Sequence, residues 1–195
     1  DVDGVMAETY DERQIGCAAG AGDTFRCAGT SQFGGQYGMA MTWNMNFDAD
    51  PVIAGNVAIT NLSSSDQQFT LIFTLPTTVT PSSLMGGGVQ GGVTDLTGNG
   101  ATITAPTGSA IYTALIDSVL VQQTLHADPF SYNEPNAFQN SSFASLNWGT
   151  PIPSQPGPAV NTNIRIQLDF ILTGNDSASI TSNFVVLVPA QRQGA

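Results

Sequence analysis

From residue 39 onward the chain alternates apolar and polar positions with a period of two. Met39, Met41, Trp43, Met45 and Phe47 fall on one side, and Ala40, Thr42, Asn44 and Asn46 on the other. Successive side chains of a strand point to opposite faces, so this run predicts a half-buried β-strand. The turn-forming Asp48-Ala49-Asp50-Pro51 ends it. Val57 and Ile59 mark a second strand. After the polar turn Ser63-Ser64-Ser65-Asp66, Phe69, Leu71, Phe73 and Leu75 mark a third, stopped by Pro76.

Residues 76–100 are rich in Thr, Pro and Gly and predict only short strands near Val89 and Val93, with a turn at Gly98-Asn99-Gly100. Thr102 to Ala105 is another short strand. In 110–126 the helical spacing of Leu115 and Val119 competes with the β-formers Ile111-Tyr112-Thr113 and Val119-Leu120-Val121. The β-formers carry the reading, a hairpin turning at Asp117-Ser118. Residues 127–142 read as a polar loop and Phe143 to Trp148 as a strand. Pro151, Pro153, Pro156 and Pro158 make an extended crossover that cannot be a central strand. Ile164, Ile166, Leu168, Phe170 and Leu172 alternate with Arg165, Gln167 and Asp169. Beyond a turn at Gly174-Asn175-Asp176, Ile180, Phe184, Val186 and Val188 give the inward face of the last strand. Eight to ten strands and no helix predict an all-β fold, a β-sandwich of jelly-roll-like type.

The expected organisation is an irregular N-terminal arm (1–38), a β-sandwich domain (39–190) and a short tail (191–195). The arm is sparse in apolar residues: Val2, Val5, Met6, Ile15, Phe25 and Phe33. Alone it cannot offset its ordering entropy, so its order must come from the domain body or from a neighbouring subunit.

Composition narrows the function. Of 195 residues, 41% are hydrophobic and 10% charged, against roughly 25% charged in an ordinary globular protein. Ser, Thr, Asn, Gln and Gly must therefore cover the surface. There is no lysine, the only cations are Arg13, Arg26, Arg165 and Arg192, and the net charge is −11. No basic patch can be assembled, which excludes counterion-driven nucleic-acid binding and argues against an anionic membrane surface. No run of about 18 apolar residues exists to span a bilayer. Asp1 is not a translation start, and the balance is that of an acidic exported protein. Cys17 and Cys27, ten residues apart, read most simply as a disulfide made in an oxidising compartment; two buried thiols are the alternative.

Two stretches carry a resemblance. Asn44-Met45-Asn46-Phe47-Asp48-Ala49-Asp50-Pro51 with Asn61-Leu62 resembles the opening strands of bacterial secreted proteins sorted by a C-terminal Pro-Glu-Pro signal. Leu168-Asp169-Phe170-Ile171-Leu172, Asp176-Ser177-Ala178-Ser179-Ile180-Thr181 and Phe184-Val185-Val186 are similar to their last hairpin. The resemblance covers about residues 42–190 and implies an exported β-protein, many of that family being thought to belong to extracellular matrix. Where the family has Glu-Pro, this chain has Ala190-Gln191 after Val188-Pro189, with no hydrophobic anchor or basic tail behind it.

Candidate chemistry is thin. His126 is the only histidine; Asp128 and Ser131 are near it in sequence, but no G-x-S-x-G elbow accompanies them, and a surface residue is the plainer reading. One His and two distant Cys cannot build a zinc site. Asp117, Asp128 and Glu134 could pair as carboxylates, but the acids sit mostly at turns, where Asp satisfies local backbone groups. Gly86 to Gly92 lacks the Lys of a phosphate loop. Asp95 and Asn99, around Gly98, could offer oxygens to calcium; an Asn-Gly turn capped by Asp is the stronger reading. Asp48/Asp50 carries the same ambiguity. Asn61, Asn140 and Asn175 each begin an N-x-[ST] glycosylation sequence. Phe130, Tyr132, Tyr112 and Trp148 could form a stacking platform for a glycan, or simply be core.

These features predict a secreted, non-enzymatic structural protein, without a cofactor beyond the calcium candidate. It is expected to self-associate by donating a strand from within residues 1–38 to a neighbour's sheet edge. A sugar- or receptor-binding adhesin module is the alternative, and a jelly-roll hydrolase the third reading.

Overall fold

A computed structural model describes residues 17–33 and 38–188. Fourteen strands occur there: β1 (Ala18–Ala19), β2 (Thr24–Phe33), β3 (Met39–Asp48), β4 (Val52–Asn61), β5 (Gln67–Pro76), β6 (Ser83–Thr94), β7 (Ala101–Thr104), β8 (Ala110–Ile116), β9 (Leu120–Ala127), β10 (Ser131–Glu134), β11 (Asn140–Trp148), β12 (Gln155–Gly157), β13 (Asn163–Leu172) and β14 (Ser177–Leu187). The expected tail (191–195) and residues 1–16 of the expected arm lie outside the described residues.

The strands form two antiparallel sheets packed as a β-sandwich. The larger runs β1-β2-β3-β4-β14-β6, with β11 and β12 both paired to the far side of β6. In the smaller, β13 is central: β5 pairs along all ten of its residues, while β8 and β7 share the opposite side and are followed by β9 and β10. The period-two residues meet between the sheets. Ile53, Val57 and Ile59 of β4, Ile180, Phe184 and Val186 of β14, and Ile164, Ile166, Leu168, Phe170 and Leu172 of β13 are all buried. Each contributes roughly 1.5–3 kcal/mol relative to exposure.

Several expectations are corrected. The glycine-rich segment is not loop with short strands but the twelve-residue β6, which pairs with β14 over eleven positions. Its glycines make room: a Cβ on Gly91 would stand 2.5 Å from the Phe143 ring and 2.6 Å from the Ser179 carbonyl. The side chain that fills that space belongs to β11, so the apolar period is supplied by a neighbour. The polar loop 127–142 contains β10, whose outward Ser131 and Asn133 pair with Thr104 and Thr102. The arm is shorter than expected, because Thr24–Phe33 is β2, in register with β3 for ten residues. Its inward face needs few apolar residues because Trp43 lies over Gly29, where a Cβ would come within 2.5 Å of the indole. Fourteen strands exceed the eight to ten expected through short pieces such as β1, β7, β10 and β12. The hairpin at Asp117-Ser118 forms as expected, both residues adopting positive φ (52° and 64°). The prolines of 150–158 leave only the three-residue β12 beside β6.

The two late strands do not pair with each other. β13 lies in one sheet and β14 in the other, so Gly174-Asn175-Asp176 is an arch across the sandwich rather than a hairpin turn. The β4–β5 connection crosses beside it. Asn61 N donates to the Asp176 carbonyl (2.9 Å) and Asn175 N to the Ser63 carbonyl (2.8 Å). Two strands that both bury an inward face on one core can be joined this way, and alternation alone does not distinguish it from a hairpin.

Candidate functional site

Asp95 is buried, and its oxygens face backbone donors. Thr97 N (3.1 Å) and Gly98 N (2.9 Å) donate to Oδ1, and Phe138 N (2.8 Å) to Oδ2. Burial raises its pKa, but these backbone hydrogen bonds together outweigh that and hold it below the usual carboxylate range. Asn99 Oδ1 instead accepts from the Thr97 hydroxyl (2.6 Å). This is the geometry of a capped turn. Two acids missed as neighbours from the sequence stand close by. Glu134 accepts from the backbone and side-chain nitrogens of Asn136 (both 2.8 Å), which hold its pKa down. Asp176 is wholly buried, and desolvation raises its pKa, with the nearby Asp95 carboxylate adding to the effect. Each carboxylate serves a loop backbone or a neighbouring hydroxyl, and no group of three metal-ligating side chains occurs among the described residues.

The remaining candidates are dispersed. His126 is buried rather than on the surface, its ring 4.3 Å from Phe130 and 5.0 Å from Phe143, with Nε2 3.0 Å from the Ala144 carbonyl oxygen. Burial lowers its pKa, the Ala144 contact only partly opposing it. Asp128 Oδ2 accepts from Gly108 N, and Ser131 Oγ pairs with Thr104 Oγ1, so neither turns to the imidazole. Asp117 ties down 161–163, accepting from Asn161 N, Asn161 Nδ2 and Thr162 N at 2.7–2.9 Å. Desolvation raises its pKa, but these hydrogen bonds jointly prevail and leave it at about 2. Asp48 accepts from Asp50 N, a local turn bond. The four aromatics form no exposed platform: Tyr112 and Trp148 are core, and Phe130 and Tyr132 pack on Phe143.

The three glycosylation asparagines differ. Asn140 and Asn175 are exposed. Asn61 is fully buried, its Nδ2 donating to the carbonyls of Ser65 (2.8 Å), Leu172 (3.0 Å) and Thr173 (3.2 Å). A glycan on that nitrogen is incompatible with both arches. A shallow concavity of about 370 Å³ over β6, β11 and β14 is lined by neutral groups such as Gln90, Ser142, Ser179 and Thr181, with no titratable side chain to activate a hydroxyl.

The feature that stands out lies at the sheet edges. An unprotected edge strand is a template for another chain, and proteins blunt edges with bulges, prolines, lysines or brevity. Here β9 and β11 carry register shifts, β12 contains Pro156 and β10 has four residues. β5 is different. It is ten residues long, pairs with β13 without a shift, has proline only at its last position, and exposes 49% of Ile72. Among the described residues no strand pairs with Leu71–Leu75 on the side away from β13. Its inward Leu71, Phe73 and Leu75 are only half-buried. In the facing sheet, β3 runs between β4 and β2. Met41, Trp43 and Phe47 there are also half-covered, and Phe25, paired with Phe47, is 48% exposed. The run Phe69–Leu75 marks β5 in the sequence, but alternation does not say which strand ends a sheet.

No family model matches the chain and no curated protein matches it, so the resemblance to Pro-Glu-Pro-sorted proteins rests on the quoted residues alone.

Proposed function

We propose that this protein is an extracellular structural subunit, non-catalytic, that assembles with copies of itself into filaments or a matrix by pairing strands across a sheet edge. The observation that carries the reading is the regular, apolar stretch Leu71–Leu75 of β5, beside which, among the described residues, no strand pairs on the side away from β13. A surface without lysine, poor in charge and rich in small polar side chains is inexpensive to dehydrate against a neighbour. The Cys17–Cys27 disulfide fits an oxidising compartment, and no helix among the described residues is long and apolar enough to cross a membrane. Electron microscopy of the purified protein is the test. Ordered filaments or arrays are expected, and an Ile72→Lys variant, folded by circular dichroism, should lose them because the added charge guards the edge. Single dispersed particles under all conditions would overturn the proposal.

A further inference from the structure

We propose that the outer face of the larger sheet binds an uncharged linear polysaccharide laid across β4, β14, β6 and β11. The site is separate from the β5 edge and does not rest on the self-assembly reading. Successive residues of a strand point to opposite faces. Val57, Ile59, Ile180 and Val93 turn into the core, so the residues between them turn outward. The register lines these up in rows across the strands. Asn56, Thr181 and Gln90 form one row; Ala58, Ser179, Gly92 and Ser142 form the next; Thr60, Ser177, Thr94 and Asn140 form the third. Gln90, Asn140, Ser142, Ser179 and Thr181 are exposed. The middle of the face dips at Gly92, where a Cβ would stand 2.5 Å from the Ser141 carbonyl and 3.2 Å from Ser142 Oγ. The concavity of about 370 Å³ lies over this glycine.

Charge and hydrogen bonding point to the occupant. The rows hold no ionisable side chain, so a polyanion or polycation finds no counter-charge there. They hold no aromatic or large aliphatic side chain either, whereas the buried centre of a protein–protein interface is rich in them. What they hold is hydroxyls and carboxamides, groups that donate and accept as sugar hydroxyls do. Asn56 gives the array a direction. Its Nδ2 donates to Ser179 Oγ (3.0 Å) and Thr181 Oγ1 (3.1 Å), so each hydroxyl keeps its own proton to donate outward. Neighbouring strands lie about 4.8 Å apart, close to the length of one sugar ring, so a chain running along a row meets one strand per sugar. Without a ring to stack on, affinity must come from several such contacts in series, which favours a polymer over a free monosaccharide.

A depletion assay tests this. The purified chain is mixed with insoluble cellulose, chitin or an unbranched β-1,3-glucan, and the protein left in the supernatant is measured. A tube without polysaccharide records sedimentation by self-assembly alone, so the two readings fail separately. Retention on at least one of these polymers is expected, and it should persist at high salt because no charge is involved. Thr181→Arg combined with Ser142→Arg should weaken it about tenfold or more, the loss of one or two well-made polar contacts. Thr124→Arg, at an exposed position of β9 outside the rows, should leave it unchanged. Should the double variant misfold by circular dichroism, Gln90→Glu places a charge in the same array at an exposed side chain and should also weaken retention. Retention on none of the neutral polymers would overturn the proposal. So would retention only on anionic alginate that salt abolishes, or an equal loss in the Thr124→Arg control.

Discussion

Gly91→Ala isolates the way β6 is packed. The backbone at Gly91 does not lie in the left-handed region, so alanine is conformationally acceptable and, by restricting the unfolded chain, would by itself add about 0.4–1 kcal/mol of stability. The new Cβ, however, would sit 2.5 Å from the tip of the Phe143 ring and 2.6 Å from the Ser179 carbonyl. Phe143 is buried and cannot yield freely, because its ring meets His126, Phe130 and Tyr132 at 5.0, 5.5 and 5.8 Å. Overpacking of this kind costs about 1–3 kcal/mol, so the net loss should be about 1–2 kcal/mol. For a chain of this size that lowers Tm by about 2–8 °C. Phe143→Leu alone should cost about 2 kcal/mol through lost aromatic contacts. The two changes should couple: with the ring tip gone, adding Gly91→Ala should cost at least about 1 kcal/mol less than it does alone. Thermal melts of the two single variants and the double variant measure this. A Gly91→Ala protein as stable as the parent, or strict additivity, would refute the view that this glycine exists to admit a neighbour's ring.

Three further outcomes follow from the geometry. Replacing Cys17 and Cys27 together by Ser should lower stability by about 2–3 kcal/mol and Tm by about 5–10 °C, matched by reductant on the parent protein; an unchanged melt would show that the cross-link constrains nothing. Asn61→Ala leaves the Leu172, Thr173 and Ser65 carbonyls without their donor and should cost about 3 kcal/mol or more, read by urea unfolding. A loss under about 1 kcal/mol would mean water replaces the amide. Asp117 has a folded pKa of about 2, below its ordinary value. Its stabilisation is therefore fully present above a pH of about 4 and is lost as pH falls through about 2. Asp117→Asn should lower stability at neutral pH and flatten the acid dependence across that window in pH-stepped melts; an unaltered slope would contradict the assignment.

How far the sequence reveals this fold depends on where each strand finds its partners. β3, β4, β13 and β14 each bury one face of a half-solvated sheet, so their own side chains carry the period and they are readable in isolation. β6 is hidden for the opposite reason: Gly91 yields its space to Phe143, more than fifty positions on, and a local window finds only glycine. β2 is hidden because Trp43 of the adjacent strand covers it. Connectivity is less legible still, since β13 and β14 present the same alternation whether they form a hairpin or bridge two sheets; the deciding contacts run through Asn61, over a hundred residues away. Asn61 shows how this misleads a motif reading, for its N-x-[ST] match marks a buried clamp rather than a surface acceptor.

The same distinction bears on function. Catalytic and metal sites need several groups converging on one point, and here Asp117, Asp128, His126 and Asp95 each turn to a local backbone or side-chain partner. An edge needs no convergence. It is a property of a whole strand, set by what does not pair beside it, and so it leaves no motif. The alternation of Phe69, Leu71, Phe73 and Leu75 is indistinguishable in the sequence from that of Ile164 to Leu172, yet β13 is paired on both sides, while beside Leu71–Leu75 of β5, among the described residues, only β13 pairs. The difference appears in burial: Ile164, Ile166 and Leu168 are completely covered, while their cross-strand partners Leu75, Phe73 and Leu71 are only half so. That residual exposure, along Leu71–Leu75, is what the proposed edge pairing would cover.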